Sequence, residues 1–109
     1  MSAKPIVPRE HARRDIEEAV DFYAREAGER VALGFIDMVE SAYRAIAIRP
    51  IAGSPRYASE LNLPGLRCRS LRRYPYLVFY VEREDHIDVW RVLHARRDIP
   101  AWMQDSDNA

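Results

Sequence analysis

The sequence is poor in the residues that most chemistry depends on: 109 positions hold one cysteine, three histidines and four glycines. Lys4 is its only lysine. Cys68 alone cannot form an intrachain disulfide, and with His11, His86 and His94 scattered along the chain it makes no metal-ligand spacing. None of the glycines stands in a G-x-G arrangement, so there is no glycine loop to cradle a phosphate. No serine lies in a nucleophile-elbow context. A cofactor-free protein is expected. Long apolar runs are missing too. The longest, residues 76–81, is far short of the ~20 residues that span a bilayer, so no membrane partner is expected. The opening Met-Ser-Ala-Lys-Pro has no apolar run behind it that would act as a signal peptide, and a cytoplasmic location follows. Formal net charge is zero, which argues against bulk DNA as a partner; no direct, specific nucleic-acid binding is expected.

What is present is enough for one domain. A chain of this length buries roughly 65% of its unfolded surface around a single core without metal or disulfide help. Residues 1–103 read as that domain and residues 104–109 as a short polar tail.

The organising stretch is residues 66–100. It reads as three short strands joined by tight turns near 73–75 and 83–86, with no regular structure expected after the His-Ala-Arg-Arg cluster at 94–97. The middle piece, 76–82, is rich in aromatic and β-branched residues that suit a pleated, half-buried surface. One flank carries Arg67, Arg69, Arg72 and Arg73, and the other delivers Arg91, His94, Arg96 and Arg97. These flanks form a modest positive patch on a neutral chain.

Ahead of the meander, residues 5–9 read as a short edge strand containing Ile6 and Val7. Pro8 is placed at the first position of a helix over 9–27, where its missing N–H costs nothing. The apolar stripe of that helix is Ala12, Ile16, Ala19, Val20 and Tyr23; Arg13 with Glu17, Arg14 with Glu18 and Asp21 with Arg25 suit exposed ion pairs. Gly28 ends it. A second helix follows over 29–49, with Ala32, Phe35, Ile36, Val39, Ala42, Tyr43 and Ile46 on one face, and stops before Pro50. So short a connection makes the pair an antiparallel hairpin. Residues 50–65 read as a long loop or strap, pinned by Leu61, Leu63 and Leu66.

This order gives an α+β fold: an N-terminal edge strand, a helical hairpin packed on a mostly antiparallel sheet, and a C-terminal three-stranded meander. In the last strand Val89, Arg91 and Leu93 alternate with Trp90, Val92 and His94. Neither set is polar enough to face water, so parity does not assign the core face. The face away from the hairpin is expected to be covered, and an apolar patch rimmed by arginines suits a protein partner.

Three stretches carry a resemblance. Leu-Pro-Gly-Leu-Arg at 63–67, Tyr-Pro-Tyr-Leu-Val-Phe-Tyr at 74–80 and Arg-Val-Leu-His-Ala-Arg-Arg-Asp-Ile-Pro at 91–100, in this order after a helical hairpin, resemble the C-terminal half of ParE-type toxins in the RelE/ParE superfamily. The resemblance implies a β-α-α-β-β-β toxin of a type II toxin–antitoxin module. It implies inhibition of growth through binding DNA gyrase and trapping its cleavage complex, and neutralisation by a ParD-like antitoxin whose disordered tail folds along the toxin. The superfamily also contains ribosome-dependent mRNA endonucleases. These need a group to take the 2′-OH proton, a group to protonate the leaving oxygen and positive charge at the phosphate. Sheet positions that carry basic groups in some nucleases fall here near Cys68, Ser70 and Leu77, which cannot do that work; Arg96 still matches a superfamily arginine. The gyrase-directed branch is favoured, with no catalytic residues required. The alternatives are an endoribonuclease using His94 and Arg96, or an inactive toxin fold that keeps only its antitoxin.

Arg67, Arg69, Arg72, Arg73, Arg91, His94, Arg96, Arg97 and Trp102 are therefore the candidate antitoxin- or target-binding residues. Each also has a plainer reading. His94 at a strand end suits a structural hydrogen bond, Cys68 a small core residue, and Trp102 with Met103 a clasp onto the sheet. Arg96 and Arg97 are free to fork onto carboxylates.

Overall fold

The computed structural model describes residues 3–107, and side chains through residue 103. Strand β1 (Ile6–Pro8) leads into helix α1 (Glu10–Ala27) and helix α2 (Glu29–Ile48). A 3-10 turn (Pro50–Ala52) and a short helix α3 (Arg56–Glu60) follow. Then come β2 (Leu66–Ser70), β3 (Tyr76–Glu82), β4 (Ile87–His94) and a last helix α4 (Ile99–Asp107). The four strands form one sheet in the order β1-β4-β3-β2, antiparallel except where β1 lies parallel to β4. The expected β-α-α-β-β-β order and mixed α+β fold are borne out.

Gly28 alone separates the two long helices, and its φ of 98° is a conformation that a Cβ would strain. Its N–H closes α1 on the Tyr23 carbonyl at 3.0 Å while its carbonyl starts α2 at Ala32. One residue thus serves both helix ends, which is why the hairpin is so tight. Pro8 sits one step earlier than expected, as the last residue of β1 opposite Val89 rather than inside α1. The ladder continues one residue further through Arg9 N–H to the Val89 carbonyl, and only then does the chain turn into the helix. Within α1, among the described residues, the ion pair that forms is Glu10 with Arg14, exposed at 3.5 Å, in place of the expected Arg13–Glu17, Arg14–Glu18 and Asp21–Arg25 pairs.

The sheet is covered on both faces. Against the hairpin lie Val78, Tyr80, Ile87, Val89 and Val92 with Ala12, Ala19, Phe35, Val39, Ala42 and Ile46. On the opposite face Leu66, Cys68, Leu77, Phe79, Val81, Trp90 and Leu93 pack with Ile99 and Met103 of α4 and with Tyr57, Ala58, Leu61 and Leu63 around α3. This corrects two expectations. The 50–65 loop is partly helical, and regular structure does follow the arginine cluster, as α4. Both departures have one cause: the second sheet face is apolar and the chain covers it with its own short helices instead of leaving it for a partner.

A β-bulge explains why alternation could not assign the faces. Phe79 lies opposite Arg91 while Tyr80 lies opposite Val89, so Trp90 is an extra residue on β4. Val89 and Val92 consequently share the hairpin side although three apart, and Trp90 and Leu93 share the other.

Candidate functional site

The exit of β4 and the β2–β3 turn lie at the same end of the sheet. Tyr76 pairs with His94, and just beyond them Ala95 N–H donates to the Pro75 carbonyl at 2.8 Å. The turn holding Arg72 and Arg73 therefore abuts the turn holding Arg96 and Arg97, and all four arginines are exposed. Sequence order separates these pairs by more than twenty positions; strand pairing joins them.

His94 is half-buried at the centre of this end. Its ring meets Tyr76 edge-on at 5.2 Å, and its Nδ1 accepts the Arg96 backbone N–H at 3.1 Å. Burial lowers its pKa below 6.5, and the charges of Arg96 and Arg97 lower it further. A neutral imidazole with Nδ1 as acceptor carries its proton on Nε2. The structural hydrogen bond expected of His94 is present.

The remaining candidates separate by environment. Arg91 is 5% exposed. Its guanidinium grips Asp15 through Nε at 2.8 Å and Nη2 at 2.7 Å, and donates from Nη1 to the Trp102 carbonyl at 3.0 Å. It is committed to tying α1, β4 and α4 together, so it leaves the list of binding residues. Arg67 and Arg69 alternate with the buried Leu66 and Cys68, which puts them on the hairpin side of β2. Arg67 donates to the Gly53 carbonyl at 2.8 Å. Trp102 is the clasp expected of it: half-buried, with the Arg97 guanidinium 4.3 Å over its ring and Arg91 at 5.3 Å. Met103, beside it, is 1% exposed.

Between α1 and this end of β4 lies a cleft of about 240 Å³, lined on its α1 side by Glu18 and Phe22 and elsewhere by Tyr76, His94, Arg97 and Trp102. That is below the roughly 300–1,000 Å³ of ordinary small-molecule sites. Its scale suits a side chain. Among the described residues no group of histidines, cysteines and carboxylates could hold a metal ion, and no helix is long and apolar enough to cross a membrane.

Sequence reasoning missed Asp15. This acid is 9% exposed and accepts the Val92 backbone N–H at 2.9 Å in addition to Arg91. The signal was its position, three residues after Ala12 and four before Ala19, inside the apolar stripe of α1 where a carboxylate needs a buried partner. Of the sheet positions compared above with nuclease members, Cys68 and Leu77 are buried in the α4-side core and Ser70 is exposed. Burial pushes the Cys68 thiol up, with Arg56 opposing weakly, so it is not a reactive thiolate.

A family model for the ParE toxin of the type II toxin–antitoxin system, parDE, matches residues 6–99. The chain belongs to the ParE toxin family. Among solved structures, a chain of the chromosomal ParDE toxin–antitoxin system from P. aeruginosa is similar, with a TM-score of 0.72 and 18% identity. The match covers 86% of this chain and 98% of that one. At that identity the likeness speaks to the fold. No curated protein matches significantly. The ParE family match ends at residue 99, where α4 begins, so the clasp of Trp102 and Met103 lies beyond the matched segment.

Proposed function

We propose that this ParE-family chain is a growth-inhibiting toxin that binds DNA gyrase and holds it in its cleaved-DNA state, and that a ParD-like antitoxin neutralises it. The observation that carries the reading is the character of the exposed sheet end. It offers four arginines without an acid–base pair beside them: His94 is neutral with its Nδ1 lone pair occupied, and the neighbouring sheet positions Cys68 and Leu77 are sunk in the core. Guanidinium groups at two abutting turns are suited to fork onto carboxylates or phosphates of a large partner. A toxin that works by trapping a partner's intermediate needs affinity for that intermediate and no proton transfer of its own.

The test mixes the purified chain with gyrase and supercoiled plasmid, followed by detergent and protease. Linear plasmid that requires both proteins is the expected result. Intact plasmid, together with cleavage of mRNA on added ribosomes, would replace this reading with the endoribonuclease one. Arg72→Ala and Arg96→Ala each reduce linear product on the gyrase reading, and their effects combine because the two turns adjoin.

A further inference from the structure

The outer face of α2 is not an ordinary solvated helix face. Its core positions Phe35, Val39, Ala42 and Ile46 point at the sheet. Leu33, Asp37, Glu40, Arg44 and Ile48, spaced by three and four and all exposed, therefore form one stripe on the opposite side. Solvent-facing stripes are usually polar throughout. This one has a large aliphatic side chain at each end, Leu33 at 53% exposure and Ile48 at 64%. Ile51, three residues further on in the 3-10 turn, is 69% exposed as well. Between the two ends the charges are sorted, with Asp37 and Glu40 toward the N-terminus and Arg44 toward the C-terminus. None of these three has an ion-pair partner among the described residues.

The stripe is complementary to its own reverse. A two-fold axis passing between Glu40 and Ser41 sets each residue of one α2 against the residue equally far beyond the axis in a second, antiparallel α2. Leu33 then faces Ile48, and Asp37 faces Arg44, each twice. Arg44 also comes within a turn of the opposing Glu40, which offsets the approach of the two Glu40 carboxylates near the axis. A parallel arrangement would set Asp37 against Asp37 and Arg44 against Arg44. At the Leu33 end the surface is concave: a hollow of about 620 Å³ is lined there by Leu33, Gly34, Asp37, Arg73 and Tyr74. The projecting end of one stripe, Ile48, thus meets a hollow at the other end of its mate.

We infer that the outer face of α2 is a homodimer interface, in which α2 packs antiparallel against α2 of a second copy of this chain. The contact is isologous and closes on itself, so it yields a dimer and not a filament. From Leu33 to Ile48 the helix runs about 22 Å. One helix pair of that length buries less than the ~1,200 Å² at which stable complexes begin, so the dimer is weak and forms as concentration rises. The turn holding Arg73 lies beside the N-terminal end of α2, so the antiparallel pairing holds the two arginine ends at opposite ends of the dimer. Dimerisation through this face is independent of the gyrase reading.

Sedimentation velocity of the purified chain over a concentration series is the test, and a monomer–dimer equilibrium is the expected result. Asp37→Arg and Arg44→Asp each set like charges face to face twice, and each is expected to raise the dimer Kd by about tenfold. Ile48→Asp does the same or more, by about ten- to a hundredfold. An equimolar mixture of the Asp37→Arg and Arg44→Asp chains recovers association, because in a mixed pair both sets of facing positions again carry opposite charges. Glu60→Arg, exposed on α3 across the sheet, changes nothing. Circular dichroism of each variant, all at exposed positions, checks that it is folded. A parent chain that stays monomeric up to about 1 mM overturns the interface. A dimer that the charge reversals leave unchanged overturns it too, as does a mixture that fails to recover. Failure of the gyrase assay overturns the proposed target and leaves these readouts intact.

Discussion

The two faces of the sheet are covered by different kinds of structure. The hairpin face is closed by two helices of 18 and 20 residues, each packing an apolar stripe of several turns against it. The other is closed by α3, only 5 residues long, the loop after it, and the 9-residue α4. Isolated helices that short are marginal in water, so α3 and α4 depend on the sheet they cover. The hairpin layer organises the fold; the opposite layer is organised by it. Arg91 joins them, with Asp15 of α1 at one end of its guanidinium and the Trp102 carbonyl of α4 at the other.

Asp15→Ala makes the hardest break in this arrangement. It leaves Arg91 buried without its carboxylate and strands the Val92 N–H, which costs about 3–5 kcal/mol. Urea unfolding monitored by circular dichroism reads the loss, and a cost below about 1 kcal/mol would mean that water replaces the carboxylate and the pair is not the link between layers. Met103→Ala removes the most buried side chain of α4 that the structure describes and is expected to cost about 2–5 kcal/mol. Its signature separates the layers: amides around Leu77 and Leu93 exchange through a newly cheap local opening while those of α2 keep global protection. Uniform loss of protection would show that the two layers unfold as one.

A pH titration sharpens the comparison at the other end of the sheet. Burial alone raises the Asp88 carboxyl, but hydrogen bonds from Arg9, Arg83 and Trp90 outweigh it and hold its pKa below 3.8. A carboxyl with a depressed folded pKa contributes stability above its unfolded pKa and loses it as pH falls through the folded one. Asp88→Asn is therefore less stable than the parent at neutral pH, and the gap narrows as the solution is taken to about pH 2. A gap independent of pH would assign the effect to packing. The smallest effect belongs to Arg96→Ala, exposed and without a carboxylate partner among the described residues: its melting temperature stays with the parent's, within about 0.5 kcal/mol of stability, whatever happens to partner binding.

Much of the architecture was readable from periodicity. The apolar stripes of α1 and α2, the break at Gly28, the stop before Pro50 and the three strands of the meander follow from spacing and turn chemistry that act within a few residues. The candidate site was readable as a list and not as a place. Arg72, Arg73, Arg96 and Arg97 stood in the sequence as two unrelated clusters, and Arg91 looked like one more member of the second. Nothing local distinguishes an arginine that reaches a buried aspartate 76 residues away from one that reaches water. Helix α4 was illegible for a similar reason: Ile99, Trp102 and Met103 make too short an apolar pattern to predict a helix until there is a sheet face for them to cover.

The sequence by itself determined what the helical hairpin and the three-stranded meander would become, because helix and strand periods, glycine conformations and proline stops are properties of neighbouring residues. Tertiary structure alone decided which side of β4 faces which layer, since the bulge at Trp90 resets its parity. It also decided that Arg91 belongs to the interior and Arg97 to the surface, because burial and partnership are properties of contacts between distant parts of the chain.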